Sequence, residues 1–329
     1  MVIQSLVNIE DLALYFLDSD KMNYLDSLKN ELPLSYEIKE IFCHLYPPKE
    51  ESIENSYAPL SLLEYFLKDK KYSYDKSSNP IYLITDLLNG LDSELNSLYS
   101  NNVEDNENKS DREVTIYSEM NYILKTNDSP IFRIFCFTKT HESICEKYCN
   151  IYDLKKYNTF NLNISRYYSS KKEKMTIKDC IRFEYEEPEK TKLLICPNCH
   201  RKKKFVVFSK IYSSTNIFLF LIDRGNDFNQ NKNKLLTIPL IIEDQLDLDN
   251  FIENKDNPTK YELIGIVSIL IKDKKYVSMC KSPIDNNWYY YNDEEIEKIE
   301  HKKVIELCNN YNMYSPCILI YKAVNQNDK

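Results

Sequence analysis

Tyr261-Glu262-Leu263-Ile264-Gly265-Ile266-Val267 decides the fold, together with Trp288-Tyr289-Tyr290-Tyr291-Asn292-Asp293 and Ile318-Leu319-Ile320-Tyr321. All three are short runs of β-branched and aromatic residues bounded by polar turn text, which predicts strands. Tyr289–Tyr291 is one such strand with alternating faces. Working back toward the N-terminus, Ile217–Ile222 and Phe205–Phe208 are further apolar strand segments, and Phe160-Asn161-Leu162-Asn163-Ile164 alternates strictly. Ile131-Phe132-Arg133-Ile134-Phe135 is likewise rich in strand formers. A short helix is expected from Thr176-Ile177-Lys178-Asp179, with Thr176 as its cap.

The first hundred residues have a different period. Val2, Leu6, Ile9, Ala13 and Phe16 recur at helical spacing, as do Ile38, Ile41, Phe42 and Leu45 before Pro47-Pro48 breaks the pattern. Leu60 to Leu67 predicts another short helix. Residues 80–99 predict a strong amphipathic helix with Ile81, Ile84, Leu87, Leu88, Leu91, Leu95 and Leu98 on its stripe and Pro80 in its first turn. Asn101 to Arg112 is polar with a single apolar residue, Val103, and is expected to be a disordered loop. The order is helical first and mostly β afterwards, which is an α+β arrangement without internal repeats.

Composition removes several function classes. The chain has 329 residues, 43% of them apolar, and a net charge of −8. A phosphate-binding role would show a basic surplus, so a nucleic-acid partner is not expected, and Arg201-Lys202-Lys203-Lys204 reads as a solvated turn. With only three glycines, no phosphate-cradling loop or dinucleotide fingerprint can be built. No apolar run is long enough for a membrane helix, and the N-terminus lacks a signal-peptide layout. Ten cysteines at this length read as reduced thiols of an intracellular protein, in cytoplasm or nucleus. Cys43, Cys136, Cys180, Cys280, Cys308 and Cys317 fit core thiols. Cys43 and His44, adjacent on a helix, point too far apart to form a dyad.

Four segments in order resemble the ubiquitin-specific protease (USP) family of cysteine deubiquitinases. Val2-Ile3-Gln4-Ser5-Leu6 looks like the helix that follows the family's catalytic cysteine. Asn79 to Leu91 resembles its "QDAxEFLxxLLDxL" helix. Cys145 and Cys149, with Cys196 and Cys199, resemble its zinc knuckles. The three strands quoted first resemble its C-terminal box, and Leu221-Ile222-Asp223-Arg224 stands where the family has "LKRF". The resemblance implies one papain-like domain over residues 1–329. Residues 1–100 would be a helical thumb and 101–112 a disordered loop. Residues 113–215 would form the fingers and part of the palm, and 216–329 the rest of a β-rich palm. It implies ubiquitin as the gripped partner.

The resemblance also locates what is missing. Catalysis of this type needs a thiolate at a helix N-terminus, a histidine to take its proton, and an Asp or Asn to orient the histidine. The cysteine would lie just before Val2, in a "GNTCYxNSxxQ" pattern that the sequence does not contain. The histidine register falls on Lys275, and His44, His141, His200 and His301 all lie elsewhere. The third position is kept as Asn292, 17 residues after Lys275. Lys272 to Lys275 reads as an exposed hairpin tip, a poor setting for a lysine base. The expectation is a pseudo-deubiquitinase that binds ubiquitin, a ubiquitin-like protein or another subunit. The alternatives are an active thiol hydrolase whose nucleophile lies upstream of a truncated gene model, and a structural subunit of a larger complex. The four cysteines have the ligand type of a closed, structural Zn2+ site, with His200 or His141 as a substitute ligand.

Overall fold

The computed structural model describes residues 1–46, 62, 65–66, 79–96, 111–145, 150–171, 174–187, 190–196, 200–224, 238–293 and 295–324. The chain opens with α1 (Val2–Val7), α2 (Glu10–Phe16), α3 (Ser19–Ser27), α4 (Pro33–Leu45) and α5 (Pro80–Asn96). Two more helices follow, α6 (Arg112–Thr126) and α7 (Pro130–Phe135). Then come β1 (Phe137–Cys145), β2 (Asn150–Tyr157), β3 (Phe160–Asn163), α8 (Ile164–Lys171), β4 (Met175–Thr176) and α9 (Ile177–Glu186). The remainder is β5 (Lys190–Ile195), β6 (Lys202–Ser213), β7 (Ile217–Asp223), β8 (Leu240–Ile241), β9 (Gln245–Asp247), β10 (Lys260–Leu270), β11 (Lys275–Lys281), β12 (Trp288–Asn292), β13 (Glu295–Ile299), α10 (His301–Cys308) and β14 (Tyr314–Ala323).

The large sheet runs β13-β12-β11-β10-β14-β7-β3, with β9 on β10, and carries the C-terminal strands read from the sequence. Its central strands are buried on both faces, which is why they are apolar without alternation. Along β7, Ile217, Leu219 and Leu221 pack into a core shared with α1–α5. Phe218, Phe220 and Ile222, pointing the other way, pack into a second core with Ile177, Ile181 and Tyr261. A separate four-stranded sheet has the order β2-β1-β6-β5, on residues expected to form the fingers. Thr176 caps α9 in a full capping box with Asp179, as its sequence predicts.

The helical layer is fixed by a close approach of α4 and α5. A Cβ on Gly90 would lie 2.6 Å from Leu34 Cδ2, so a larger residue there would make the Leu34 side chain shift. Four residues on, Glu94 accepts from Leu34 N (3.0 Å), Ser35 N (2.7 Å) and Ser35 Oγ (2.8 Å). One helix thereby caps the free N–H groups at the start of another.

Three expectations change. Ile131–Phe135 is helix α7, because Pro130 occupies its first turn and Ser129 Oγ accepts from Phe132 N at 2.9 Å. Arg112 opens α6, capped by Asp111, and does not lie in a loop; 101–110 lie outside the described residues. Lys202–Lys204 is the start of β6, held by β5 through Ile195↔Lys202 and Leu193↔Lys204, and not a turn. The 80–99 helix is described to Asn96. In the 60–67 stretch, Leu62, Tyr65 and Phe66 are described and helical. No helix among the described residues is long and apolar enough to cross a membrane.

Candidate functional site

The start of α1 and the expected 275 and 292 positions lie on one seam, where α1 packs against β11. Met1 Sδ lies 3.5 Å from Ser278 Oγ, and the Cys280 thiol donates to Ser5 Oγ at 3.4 Å. β11 in turn pairs with β12 through Ser278↔Tyr291, which brings the 275 and 292 ends to the same side. α1, β11 and β12 thus put the start of the first helix beside the positions of the histidine and its orienting residue.

Lys275 and Asn292 stand at the two positions on β11 and β12. Lys275 opens β11 after an exposed turn of Lys272, Asp273 and Lys274, the last with φ 53°. Its Nζ lies 3.4 Å from Asp293 Oδ2, with the two side chains 37% and 67% exposed. Asn292 donates from Nδ2 to Glu295 Oε2 at 3.2 Å, while its buried Oδ1 has no hydrogen-bond partner among the described residues. Lys275 is therefore paired one residue beyond Asn292, and the acceptor that would orient an imidazole is left over.

None of the four histidines stands in for Lys275. His44 is exposed, with Nδ1 on Glu40 O at 2.8 Å. His141 sits on β1 with Nε2 at 2.8 Å from the Tyr157 hydroxyl and Nδ1 at 2.7 Å from Ser209 Oγ. His200 is exposed, two residues before β6. His301 stacks on Trp288 with ring planes 2° apart and holds Asp244 Oδ1 at 2.8 Å. Trp288 is the far end of β12 from Asn292, about 14 Å away by strand rise.

No activated thiol appears among the cysteines with perturbed ionisation. Burial pushes Cys136, Cys180 and Cys317 up to about 12 and Cys280 up to about 11; it raises Cys43 and Cys308 as well. A nucleophile needs the opposite shift. These are the core thiols the sequence predicts, Cys43 and Cys136 being half-buried and the rest buried.

At the end of the four-stranded sheet, Cys145 ends β1 and Cys196 follows β5; both are buried and their sulfurs are 4.0 Å apart. That is too long for a disulfide and close to the roughly 3.8 Å edge of a tetrahedral thiolate site with zinc–sulfur bonds of about 2.3 Å. His200 N donates to Cys196 O at 2.8 Å and Cys196 N to Arg201 O at 3.0 Å, and His200 has φ 55°. The other two candidate ligands, Cys149 and Cys199, lie outside the described residues. His141 is not a substitute ligand, because both its ring nitrogens are engaged. Among the described residues, no group of three or more ligand side chains gathers.

A family model described as "Ubiquitin carboxyl-terminal hydrolase" matches residues 1–321. Among curated proteins, the chain is 29% identical over 143 residues to ubiquitin carboxyl-terminal hydrolase 10 of Saccharomyces cerevisiae, covering 41% of this chain and 17% of that protein. It is 26% identical over 117 residues to ubiquitin carboxyl-terminal hydrolase 48 of Danio rerio, covering 33% and 11%. The chain thus spans less than a fifth of the length of these relatives. Among solved structures, it superposes on the yeast SAGA DUBm with an Sgf73 mutant and on the SAGA Ubp8/Sgf11/Sus1/Sgf73 DUB module. Each gives a TM-score of 0.66 at 15% identity and covers 98% of this chain, with 65% and 66% of the other chain. At that identity the likeness establishes the fold.

Proposed function

This chain belongs to the ubiquitin carboxyl-terminal hydrolase family, and from that premise we propose that it is a non-catalytic member that grips ubiquitin or a ubiquitin-like protein without cleaving it. The observation that carries the reading is Lys275. It occupies the histidine register inside an otherwise readable strand and is tied to Asp293 at 3.4 Å, while the Asn292 acceptor stays unused. Loss of one member of such a triad costs on the order of 10⁶ in turnover.

In this reading the helical layer and the palm sheet form the cleft for an extended C-terminal tail, and the fingers hold the partner's body. The finger tip would be stapled by a structural Zn2+ on Cys145, Cys149, Cys196 and Cys199. When bound, that ion supplies folding energy and leaves no open position for chemistry. The free thiols fit an intracellular setting. A role as a subunit of a larger assembly is compatible with ubiquitin binding, since the similar solved structures are themselves of a multi-protein module.

The test is titration of the purified chain with monoubiquitin and diubiquitin by calorimetry, beside a ubiquitin C-terminal hydrolysis assay. Saturable binding without turnover is the expected result. Turnover, whether or not Lys275→Ala abolishes it, would overturn the non-catalytic reading, and absence of binding would overturn the ubiquitin grip.

A further inference from the structure

Two edge strands of the chain carry complementary surfaces. β5 ends the finger sheet, and no described strand covers its outer side. On one face of it Leu193 and Ile195 are 71% and 65% exposed, among the most exposed large apolar side chains of the protein. Their cross-strand neighbours on β6, and hence on the same face, are Lys204 and Lys202, both exposed. β13 ends the large sheet, and Glu295, Ile296, Glu297 and Lys298 are all exposed along it. Ile296 is 60% exposed, and Glu295 and Glu297 share the opposite face from it.

A lone exposed leucine needs no explanation. A greasy pair on an uncovered edge, backed by cations in a chain of net charge −8, is different: unguarded edges pair with strands. β5 and β13 belong to separate sheets of one chain, so their match is met between copies.

We propose that the β5 edge of one molecule pairs with the β13 edge of a second copy, head to tail. In the register that matches charge, Glu295 and Glu297 continue the face of Leu193 and Ile195. The Lys202 and Lys204 stems lie across those two apolar side chains to reach the carboxylates. On the other face Ile296 covers the half-buried Leu194. The contact is heterologous, uses different patches on the two partners, and is small enough to be weak and sensitive to salt.

Sedimentation velocity on the full chain tests this. The wild type is expected to associate with rising concentration at low ionic strength and to dissociate on adding NaCl. The tip variant Lys202→Glu/Lys204→Glu and the edge variant Glu295→Lys/Glu297→Lys should each be monomeric alone, since each then meets like charge. Their equimolar mixture should regain association, as should one chain carrying all four changes. All four side chains are exposed, and circular dichroism checks that the fold is kept. A wild type that stays monomeric overturns the proposal, as does a tip variant that associates as well as the wild type. Loss of ubiquitin binding in the tip variant of a monomeric wild type would likewise overturn it and give the patch to ubiquitin.

Discussion

Lys275 reaches past Asn292 to Asp293, Nζ to Oδ2 at 3.4 Å, so the residue at the histidine register bonds with the residue after the orienting one. Because the pair is exposed, it holds little energy. Lys275→Ala should change stability by less than about 1 kcal/mol in urea denaturation. A larger loss would mean that the pair is a structural element of the seam.

Glu94 holds three hydrogen bonds at the start of α4. Glu94→Ala should cost about 1–2 kcal/mol, the scale of a lost helix cap, with Glu94→Gln losing less. Matched urea melts decide it, and equal losses for both variants would show that the charged carboxylate carries the whole effect, the volume and acceptor oxygen that glutamine keeps adding nothing.

Gly90→Ala sets two effects against each other. Alanine gains up to about 1 kcal/mol of helix propensity, while the added carbon meets Leu34 at 2.6 Å, an overpacking cost of about 1–3 kcal/mol. Net destabilisation is expected in thermal melts. A stabilised variant would show that Leu34 moves aside freely.

Alkaline pH should unfold the protein early. The thiols of Cys136, Cys180 and Cys317 ionise near pH 8.5 in an unfolded chain but at about 12 when folded. The unfolded state therefore releases protons first, and their contribution is whole below the unfolded value and lost as pH rises toward 12. The slope is on the order of 1.4 kcal/mol per thiol per pH unit. Urea midpoints should fall between pH 8.5 and 10.5; constant midpoints there would contradict the burial of these groups.

For the metal, about one zinc per chain is expected by elemental analysis of protein purified without chelator. Cys196→Ser should abolish it and raise hydrogen exchange at the ends of β1 and β6, leaving α4 and α5 unchanged. A metal-free wild type with the same exchange pattern would reduce the four cysteines to ordinary thiols.

Much of this was legible in the residues. The β7 and β10 text carried the sheet because strands buried on both faces have no choice but to be apolar, and the Ile84–Leu95 stripe carried α5. The Lys275 substitution was visible by counting back from Trp288. What misled was local. Ile131–Phe135 has strand composition, yet Ser129-Pro130 starts a helix, and the cap outweighed the propensity of five residues. α6 escaped notice although Ile116 and Ile123, a helical seven apart, bury against Leu154 of β2. The Lys275 to Asp293 pairing was not legible, because it depends on how the turn at Asp293, φ 55°, aims a side chain.

β7 gives one set of alternate residues to each core, and this has a mechanical corollary. Melting the helical layer would leave Ile217, Leu219 and Leu221 bare on strands whose backs are still packed. Neither half can let go without stripping the other's wall. The two halves should therefore unfold in a single cooperative step, and a partner that clasps only one of them would hold the whole hand closed.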